Sequence, residues 1–164
     1  MDALIAIKTR RSIRSYRADP VAPSVIESIV DCGRLAATAR NVQPWEFIVI
    51  TQAETRHQLS RLIDTGRFLA DAPVCIAVFC RDTKYFLEDG CAAIQNMLVA
   101  AHAAGLGTCW VAGEKKPYAH TVAEMLRVPA THKLVGLVAV GHPVEHPASP
   151  PKRPLREVLH HEHF

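Results

Sequence analysis

One uninterrupted apolar segment limits what this chain can fold into. Residues 74–80 read Val-Cys-Ile-Ala-Val-Phe-Cys, without a single polar position. The segment has the length of a β-strand, and a strand without apolar–polar alternation is typical of one that is buried on both faces. Such a strand lies inside a sheet that helices cover on each side. The sequence therefore predicts a layered domain around a buried central sheet.

The neighbouring segments predict the other strands and the helices. Runs of aromatic and β-branched residues predict strands at 45–51, 108–111 and 134–140. Apolar residues on one face predict helices at 2–9, 24–37 and 84–104, and we expect a polar helix at 53–63 and a further helix at 117–127. Ser24 and Glu27 have the spacing of a capping box, which would begin the second helix. Helices that alternate with single strands predict an α/β or α+β domain.

We expect one domain over residues 1–164, with an extended tail from about residue 143. The 164 residues match the length of one compact domain, and a hydrophobic fraction of 49% supplies its core. Proline disfavours helix, and five prolines crowd together near the C-terminus. We expect this tail to wrap over another surface, for which a partner subunit is a candidate. The prolines are Pro143, Pro147, Pro150, Pro151 and Pro154.

Charge, hydropathy and cysteine content exclude several classes of protein. A net charge of +3 is too small for the contiguous basic footprint of a nucleic-acid binder. No apolar run approaches the roughly 18 residues of a membrane span, and no signal-peptide apolar region is evident, so we expect a cytoplasmic protein. Five cysteines without a Cys-x-x-Cys pair argue against a disulfide framework and a zinc site. The histidines at 160–163 are too close in sequence to converge on one ion, and we predict no metal site.

The basic segment Arg-Arg-Ser-Ile-Arg at residues 10–14 is the first candidate site. If it is extended, Arg10, Ser12 and Arg14 face the same way. Four extended steps span roughly 13 Å, comparable to the reach of a mononucleotide from its phosphate to its ring. Two guanidiniums and a hydroxyl along that line could bind a phosphate and a polar ring edge. A solvated basic turn and a nucleic-acid contact are the alternatives, and the cluster alone does not decide between them.

Three further segments carry groups that could face a ligand. Residues 41–47, Asn-Val-Gln-Pro-Trp-Glu-Phe, place two amides at a helix-to-strand junction that Pro44 keeps extended. Asn41 as a simple helix end, with Trp45 in the core, is the alternative. In residues 105–113 glycines end the long helix, and Gly113 ends a strand where the backbone turns closely past something. Residues 151–155, Pro-Lys-Arg-Pro-Leu, place cations in the extended tail.

Together these segments resemble the nitroreductase family of FMN-dependent oxidoreductases. The resemblance runs from about residue 3 to the end of the chain. It implies an α+β three-layer sandwich with a central mixed, mainly antiparallel sheet flanked by helices, assembled as a homodimer with FMN at the subunit interface. The matching motifs are Arg-Arg-Ser-x-Arg at 10–14, Asn-x-Gln-Pro-Trp-x-Phe at 41–47, Gly-Leu-Gly-x-x-Trp-x-x-Gly at 105–113, Gly-His-Pro at 141–143 and Lys-Arg-Pro-Leu at 152–155.

The resemblance also implies roles for single residues. Arg10 and Arg153 would bind the FMN phosphate. Ser12 and Arg14 would reach the ribityl chain and the N1/O2 edge of the ring. The backbone at Ala112–Gly113 would lie beside flavin N5.

The second subunit is implied to supply further contacts, from Ala37, Thr38, Ala39 and Asn41, with Gln43 adjacent. The family often has Pro-Ser at 37–38, and many longer members have a lysine where Pro151 stands, a loss for which Lys152 would compensate. The complete cofactor-binding set predicted here is Arg10, Arg11, Ser12, Arg14, Ala37, Thr38, Ala39, Asn41, Gln43, Ala112, Gly113, Lys152 and Arg153.

The implied activity is a two-electron oxidoreduction. NADH or NADPH would deliver hydride to N5, and a small oxidised acceptor such as a nitroaromatic or quinone would then take the electrons. The flavin carries this chemistry, so no side-chain nucleophile or base is required, and Arg14 would tune the flavin. A flavin-binding carrier or redox sensor without turnover is one alternative, and a basic interaction domain without a cofactor is another. The sequence leaves the physiological acceptor and the choice between NADH and NADPH open.

Overall fold

A four-stranded antiparallel sheet lies at the centre of the fold. In this computed structural model, which describes residues 1–164, the strands are β1 (Trp45–Ile50), β2 (Val74–Arg81), β3 (Gly107–Ala112) and β4 (His132–Gly141). Their order across the sheet is β1-β2-β4-β3, and every neighbouring pair is antiparallel. One isolated parallel bridge joins Ser12 to Thr108 beside β3. The predicted α+β sandwich with a mainly antiparallel sheet is confirmed.

The apolar run at 74–80 forms the buried strand β2. It pairs with β1 on one side and with β4 on the other. No side chain from Val74 to Cys80 is more than 2% exposed. Residues at even positions pack in one core cluster and those at odd positions in the other, because successive side chains point to opposite faces of a sheet. The prediction of a strand buried on both faces is confirmed.

Four of the five helices cover the two faces of the sheet, and the first helix packs against the fourth. α1 spans Ala3–Thr9, α2 Pro23–Arg34, α3 Ala53–Leu62, α4 Phe86–Ala103 and α5 Ala119–Met125. α2 and α4 pack on one face, and α3 and α5 on the other with the 3-10 segment Asp64–Leu69. α2 lies very close to α4, since a Cβ on Gly33 would stand 2.8 Å from Met97 Cγ. None of the helices has the length and hydropathy needed to cross a membrane.

The predicted start and end of α2 are wrong. The helix begins at Pro23, with Ala22 as its N-cap, and no side chain caps it. Proline suits the first helical position because its fixed φ is helical and its missing N–H needs no partner there. Ser24 therefore lies inside the first turn, where it cannot act as the cap. α2 ends at Arg34, before the predicted boundary at residue 37, and the chain then turns towards α4.

The C-terminal tail lies on the outside of this chain. Every residue from Val144 to Phe164 is exposed, and one 3-10 turn at Leu155–Glu157 interrupts the irregular backbone. Several of its apolar side chains face solvent, among them Leu155 at 70% exposure, Val158 and Leu159. α1 also leaves apolar side chains in solvent. The core of the protomer is therefore complete without the tail.

Candidate functional site

The basic segment at residues 10–14 runs beside β3 and forms one wall of a groove. The Ile13 N–H donates to the Thr108 carbonyl at 2.8 Å, and the Ile13 side chain is buried. The tail forms the opposite wall, and the space between them is about 330 Å³. The fold thus brings together the predicted segments 10–14 and 151–155, which are far apart in sequence. The lining of this basic groove is Arg10, Arg11, Ser12, Arg14, Pro147, Ala148, Ser149, Pro150 and Lys152.

The cations of the basic groove have no carboxylate partner. None of the ion pairs in the structure includes Arg10, Arg11, Arg14 or Lys152. Arg11 lines the groove although alternation predicts that it points away, because its guanidinium turns back and donates to the carbonyls of Lys8 and Arg10. Unpaired guanidinium and ammonium groups around one space are the donor set that binds a phosphate. The groove fits the phosphate of a nucleotide-like cofactor.

Arginines of the basic segment also act on His102, at the end of α4. Thr9 Oγ1 donates to the Ile5 carbonyl and lies within hydrogen-bond distance, 2.8 Å, of His102 Nε2. Burial lowers the pKa of His102, and repulsion from Arg10, His146 and Arg11 lowers this pKa further. His146 of the tail and Arg10 and Arg11 of the basic segment therefore all lower the pKa of the same group, His102.

Arg14 occupies the far end of the segment, where it is exposed but placed by its neighbours. Its guanidinium lies 5.9 Å from the centre of the Phe68 ring, within the range of a cation–π contact. Tyr16, two residues on, donates its hydroxyl to the Ile13 carbonyl at 2.5 Å. Burial raises the pKa of the neighbouring Cys109 thiol, and Arg14 and Arg10 oppose that rise. Arg14 thus presents a positive charge at the edge of the sheet.

A second opening of about 600 Å³ lies where β3 ends. Ala112 and Gly113 line it with Leu87, Cys91 and Trp110. The tight backbone at Gly113 is imposed by β4, because an added Cβ would lie 2.7 Å from Leu134 Cγ and from the Val135 carbonyl carbon. The Tyr118 hydroxyl donates to the Ala112 carbonyl and holds the strand end. We call this opening the strand-end cleft.

The predicted segment that begins at Asn41, together with Arg40 before it, has a backbone that is unusual for residues other than glycine. Arg40, Asn41 and Gln43 have positive φ angles of 54°, 57° and 49°. The predicted amides bond each other, since Gln43 Nε2 donates to Asn41 Oδ1 at 3.1 Å. The segment borders a third cleft, which Lys84 and Tyr85 also line, and none of its residues lines the basic groove.

Within one chain, therefore, the predicted site residues fall into three separate places. Lys152 lies in the basic groove, but Arg153 does not line it. Arg153 donates to the Glu157 carbonyl at 2.7 Å, and its Nε lies 3.7 Å from the Glu157 carboxylate. The assignment of Arg153 to the phosphate stays a prediction, and it requires Arg153 to leave Glu157.

Sequence reasoning missed Asp89 and Tyr118. Asp89 is 5% exposed and accepts two hydrogen bonds from residues 38 and 39. The sequence held a signal for Asp89, because a carboxylate beside the apolar stripe of a buried helix needs hydrogen-bond donors. Tyr118 carried no such signal, since its partner is a backbone carbonyl that only the folded chain places nearby.

The fold and these surfaces define a class, an α+β sandwich whose sheet edge carries a groove lined by unpaired cations. Comparison with known proteins identifies the family within this class. The model of the nitroreductase family matches residues 7–66 and 64–142. The chain belongs to the nitroreductase family, and it is an oxidoreductase.

Individual relatives agree with this assignment. A protein of Methanothermobacter thermautotrophicus, whose name covers NADH dehydrogenase and NAD(P)H nitroreductase, is 32% identical, with 91% of this chain and 81% of the relative covered. A Bacillus subtilis protein named FMN reductase (NADPH) is 29% identical, with 94% and 71% covered. A Desulfovibrio desulfuricans structure, described as a nitroreductase in complex with FMN, superposes with a TM-score of 0.88 at 34% identity, covering 100% and 98%.

Proposed function

We propose that this chain binds FMN and moves two electrons from NADH or NADPH to a small oxidised acceptor such as a nitroaromatic or a quinone. The observation that carries the proposal is the set of unpaired cations that two distant segments bring into one groove. The B. subtilis relative named FMN reductase (NADPH) and the D. desulfuricans structure described in complex with FMN support the cofactor and the electron donor.

The residues of the basic groove would divide the cofactor between them. Arg10 and Lys152 would hold the phosphate, with Arg153 joining them, and Ser12 would bond the ribityl hydroxyls. Arg14 would stabilise negative charge at the N1/O2 edge through its fixed guanidinium. When bound, FMN supplies the hydride and electron transfer chemistry, so the protein's part is to bind, orient and tune it.

We infer that the working form is a homodimer with FMN at the interface. Segment 38–43 lies away from the basic groove of its own chain, so its predicted flavin contacts require a second copy. Apolar side chains are exposed on α1, including Leu4 at 64% and Ile7 at 58%, and on the tail. Such exposed apolar surface is typical of an interface. The five cysteines without disulfides suit the cytoplasm, where we expect the protein.

An anaerobic titration of the purified protein tests the proposal. We expect the protein to carry the absorbance of oxidised FMN, to bleach on addition of NADH or NADPH, and to regain its colour with a quinone or a nitroaromatic. A protein that stays colourless and takes up no added FMN would contradict the proposal. FMN that binds but fails to bleach with either nucleotide would indicate a flavin carrier instead.

A further inference from the structure

A buried carboxylate of α4 is bonded to the segment that is predicted to touch the flavin. Asp89 is one of only three buried polar residues, and it forms no ion pair. Its Oδ2 accepts from the Thr38 hydroxyl at 2.8 Å, and its Oδ1 accepts from the Ala39 N–H at 3.0 Å. Both oxygens of a buried charge are thus committed to two consecutive residues of segment 38–43.

Thr38 extends this bonding to the far end of the segment. Its Oγ1 accepts from the Gln43 N–H at 3.2 Å while its hydroxyl proton goes to Asp89. A hydroxyl can donate one bond and accept others at the same time, so Thr38 relays the carboxylate to residue 43. The start of the segment is therefore held directly, and its end is held through Thr38.

The backbone between these ends needs such restraint. Left-handed φ angles are unfavourable for residues with a Cβ, and they persist only where the surroundings impose them. Arg40, Asn41 and Gln43 all have such angles. Two 3-10 bonds, from Asn41 N–H to the Thr38 carbonyl and from Val42 N–H to the Ala39 carbonyl, are both 3.2 Å long. These bonds link the segment only to itself, whereas Asp89 links it to the core.

We propose that Asp89 and Thr38 are positioning residues, which hold segment 38–43 in its flavin-binding conformation before the flavin arrives. This inference rests on the proposed function. The two residues act through the backbone of the segment, and Asp89 itself does not touch the cofactor. A contact segment that is already ordered loses less conformational freedom on binding, so preorganisation appears as tighter binding. The carboxylate is needed because two donors must be accepted, and an amide offers only one accepting oxygen.

The Thr38 hydroxyl thereby has a different use from the one predicted for it. The resemblance to the family implies that Thr38 contacts the flavin, but in this chain its hydroxyl is already bonded to Asp89 and Gln43. Ala39, Asn41 and Gln43 are then the residues of the segment left to face the flavin. The inference concerns how those three are held.

The test compares FMN affinity across four variants of the full-length protein. Thr38→Val removes the relay while keeping the shape of the side chain, and Thr38→Ser keeps the hydroxyl. Asp89→Asn removes one acceptor. Glu88→Gln is the matched control, because it removes the same charge from the adjacent, exposed position of α4. FMN dissociation constants are measured by fluorescence titration well below the melting temperature, together with kcat and KM for the nicotinamide donor.

We expect Thr38→Val and Asp89→Asn each to raise the FMN dissociation constant by about tenfold, the size of one lost hydrogen bond to a charged group. Thr38→Ser and Glu88→Gln should stay within about twofold of the wild type. The double variant Thr38→Val/Asp89→Asn should raise the FMN dissociation constant by less than the product of the two single fold-changes, because both substitutions break the same link.

The outcomes separate this inference from the proposed function. Variants that melt at lower temperature yet bind FMN as tightly as the wild type would overturn the inference, because Asp89 would then only stabilise the fold. If the wild type turns over and the variants bind FMN as tightly as it does, the inference is overturned but the proposed function stands. A wild type that binds no FMN would overturn both. If Asp89→Asn does not fold, the comparison of Thr38→Val with Thr38→Ser decides.

Discussion

Two segments that are predicted to contact the flavin, segment 38–43 and the C-terminal tail, are held in opposite ways. Segment 38–43 is bonded to α4 through Asp89 and to β2 through Arg81, whose guanidinium donates to the Val42 carbonyl. Every hydrogen bond and ion pair of residues 145–164 stays within the tail. Yet residues of both segments line openings on the surface. One segment is shaped by its own protomer, and the other is not.

The difference indicates where the free energy for each conformation comes from. The buried Asp89 carboxylate fixes the start of segment 38–43, because leaving a buried acceptor unpaired would cost about 1–3 kcal/mol or more. The tail has apolar side chains instead, and Leu155, Val158 and Leu159 gain nothing while they face water. We infer that the tail takes its functional position when a second copy of the chain covers it.

The largest effect is expected from removing the tail after Val144. The truncated chain should fold but stay monomeric, and it should bind FMN at least a hundredfold more weakly, because it loses both Lys152 and the apolar side chains. Sedimentation and fluorescence titration measure the two effects, and circular dichroism checks the fold. In contrast, Lys152→Ala with Arg153→Ala should weaken FMN binding but leave a dimer. A truncated chain that remains dimeric would contradict our comparison of the two segments.

A smaller effect is expected at the wall of the basic groove that the protomer forms by itself. Arg10→Ala should raise the FMN dissociation constant by roughly ten- to a hundredfold, because a charge-assisted bond to the phosphate is lost. Its effect on the flavin reduction potential should be small. Arg17→Ala, which alters an exposed ion pair with Asp19 outside the groove, is the control. Equal losses in both variants would show a general effect of charge.

Arg14→Ala should change the flavin's chemistry more than its retention. Without the guanidinium at the N1/O2 edge, the reduction potential should fall and reduction by the nicotinamide donor should slow. Spectroelectrochemistry and stopped-flow absorbance measure the two quantities. If both were unchanged, the role given to Arg14 would be wrong.

The last effect is absent at neutral pH; it concerns the sheet and should not involve the tail. Burial raises the pKa of Cys75 and of Cys80 from 9.0 to about 12. The folded chain thus keeps two protons that the unfolded chain releases above about pH 9. The stability from these thiols is complete below that pH and is lost as the pH rises towards about 12, by at most about 1.4 kcal/mol per pH unit for each thiol.

Urea unfolding at several alkaline pH values measures this slope, which is the change in the free energy of unfolding per pH unit. Cys75→Ala should reduce it, and the tail truncation should leave it unchanged when both chains are compared as monomers. If the slope disappeared when the tail was removed, the titrating groups would lie outside the sheet.

Local patterns in the sequence predicted most elements of the fold. The apolar run at 74–80 predicted β2, and all five helices were predicted, with α3 and α4 within two residues at each end. The start of α2 was wrong, because the capping-box pattern was preferred to the proline at the first helical position. Arg10, Ser12 and Arg14 line the basic groove together, in the alternation that an extended segment requires, and their roles towards FMN stay predictions. Arg11 departs from that alternation, because its guanidinium turns back onto local carbonyls.

The sequence by itself determined the layered fold and the common face of Arg10, Ser12 and Arg14, because hydrophobic periodicity and extended-strand alternation are local properties. Only the tertiary structure decided that Asp89 of α4 holds residues 38 and 39, that Gly113 is required by β4, and that Arg153 bonds Glu157 in the protomer. Each depends on which groups the fold brings within hydrogen-bond or van der Waals distance. That proximity is set by the packing of α4 and β4, and no local pattern in the chain records it.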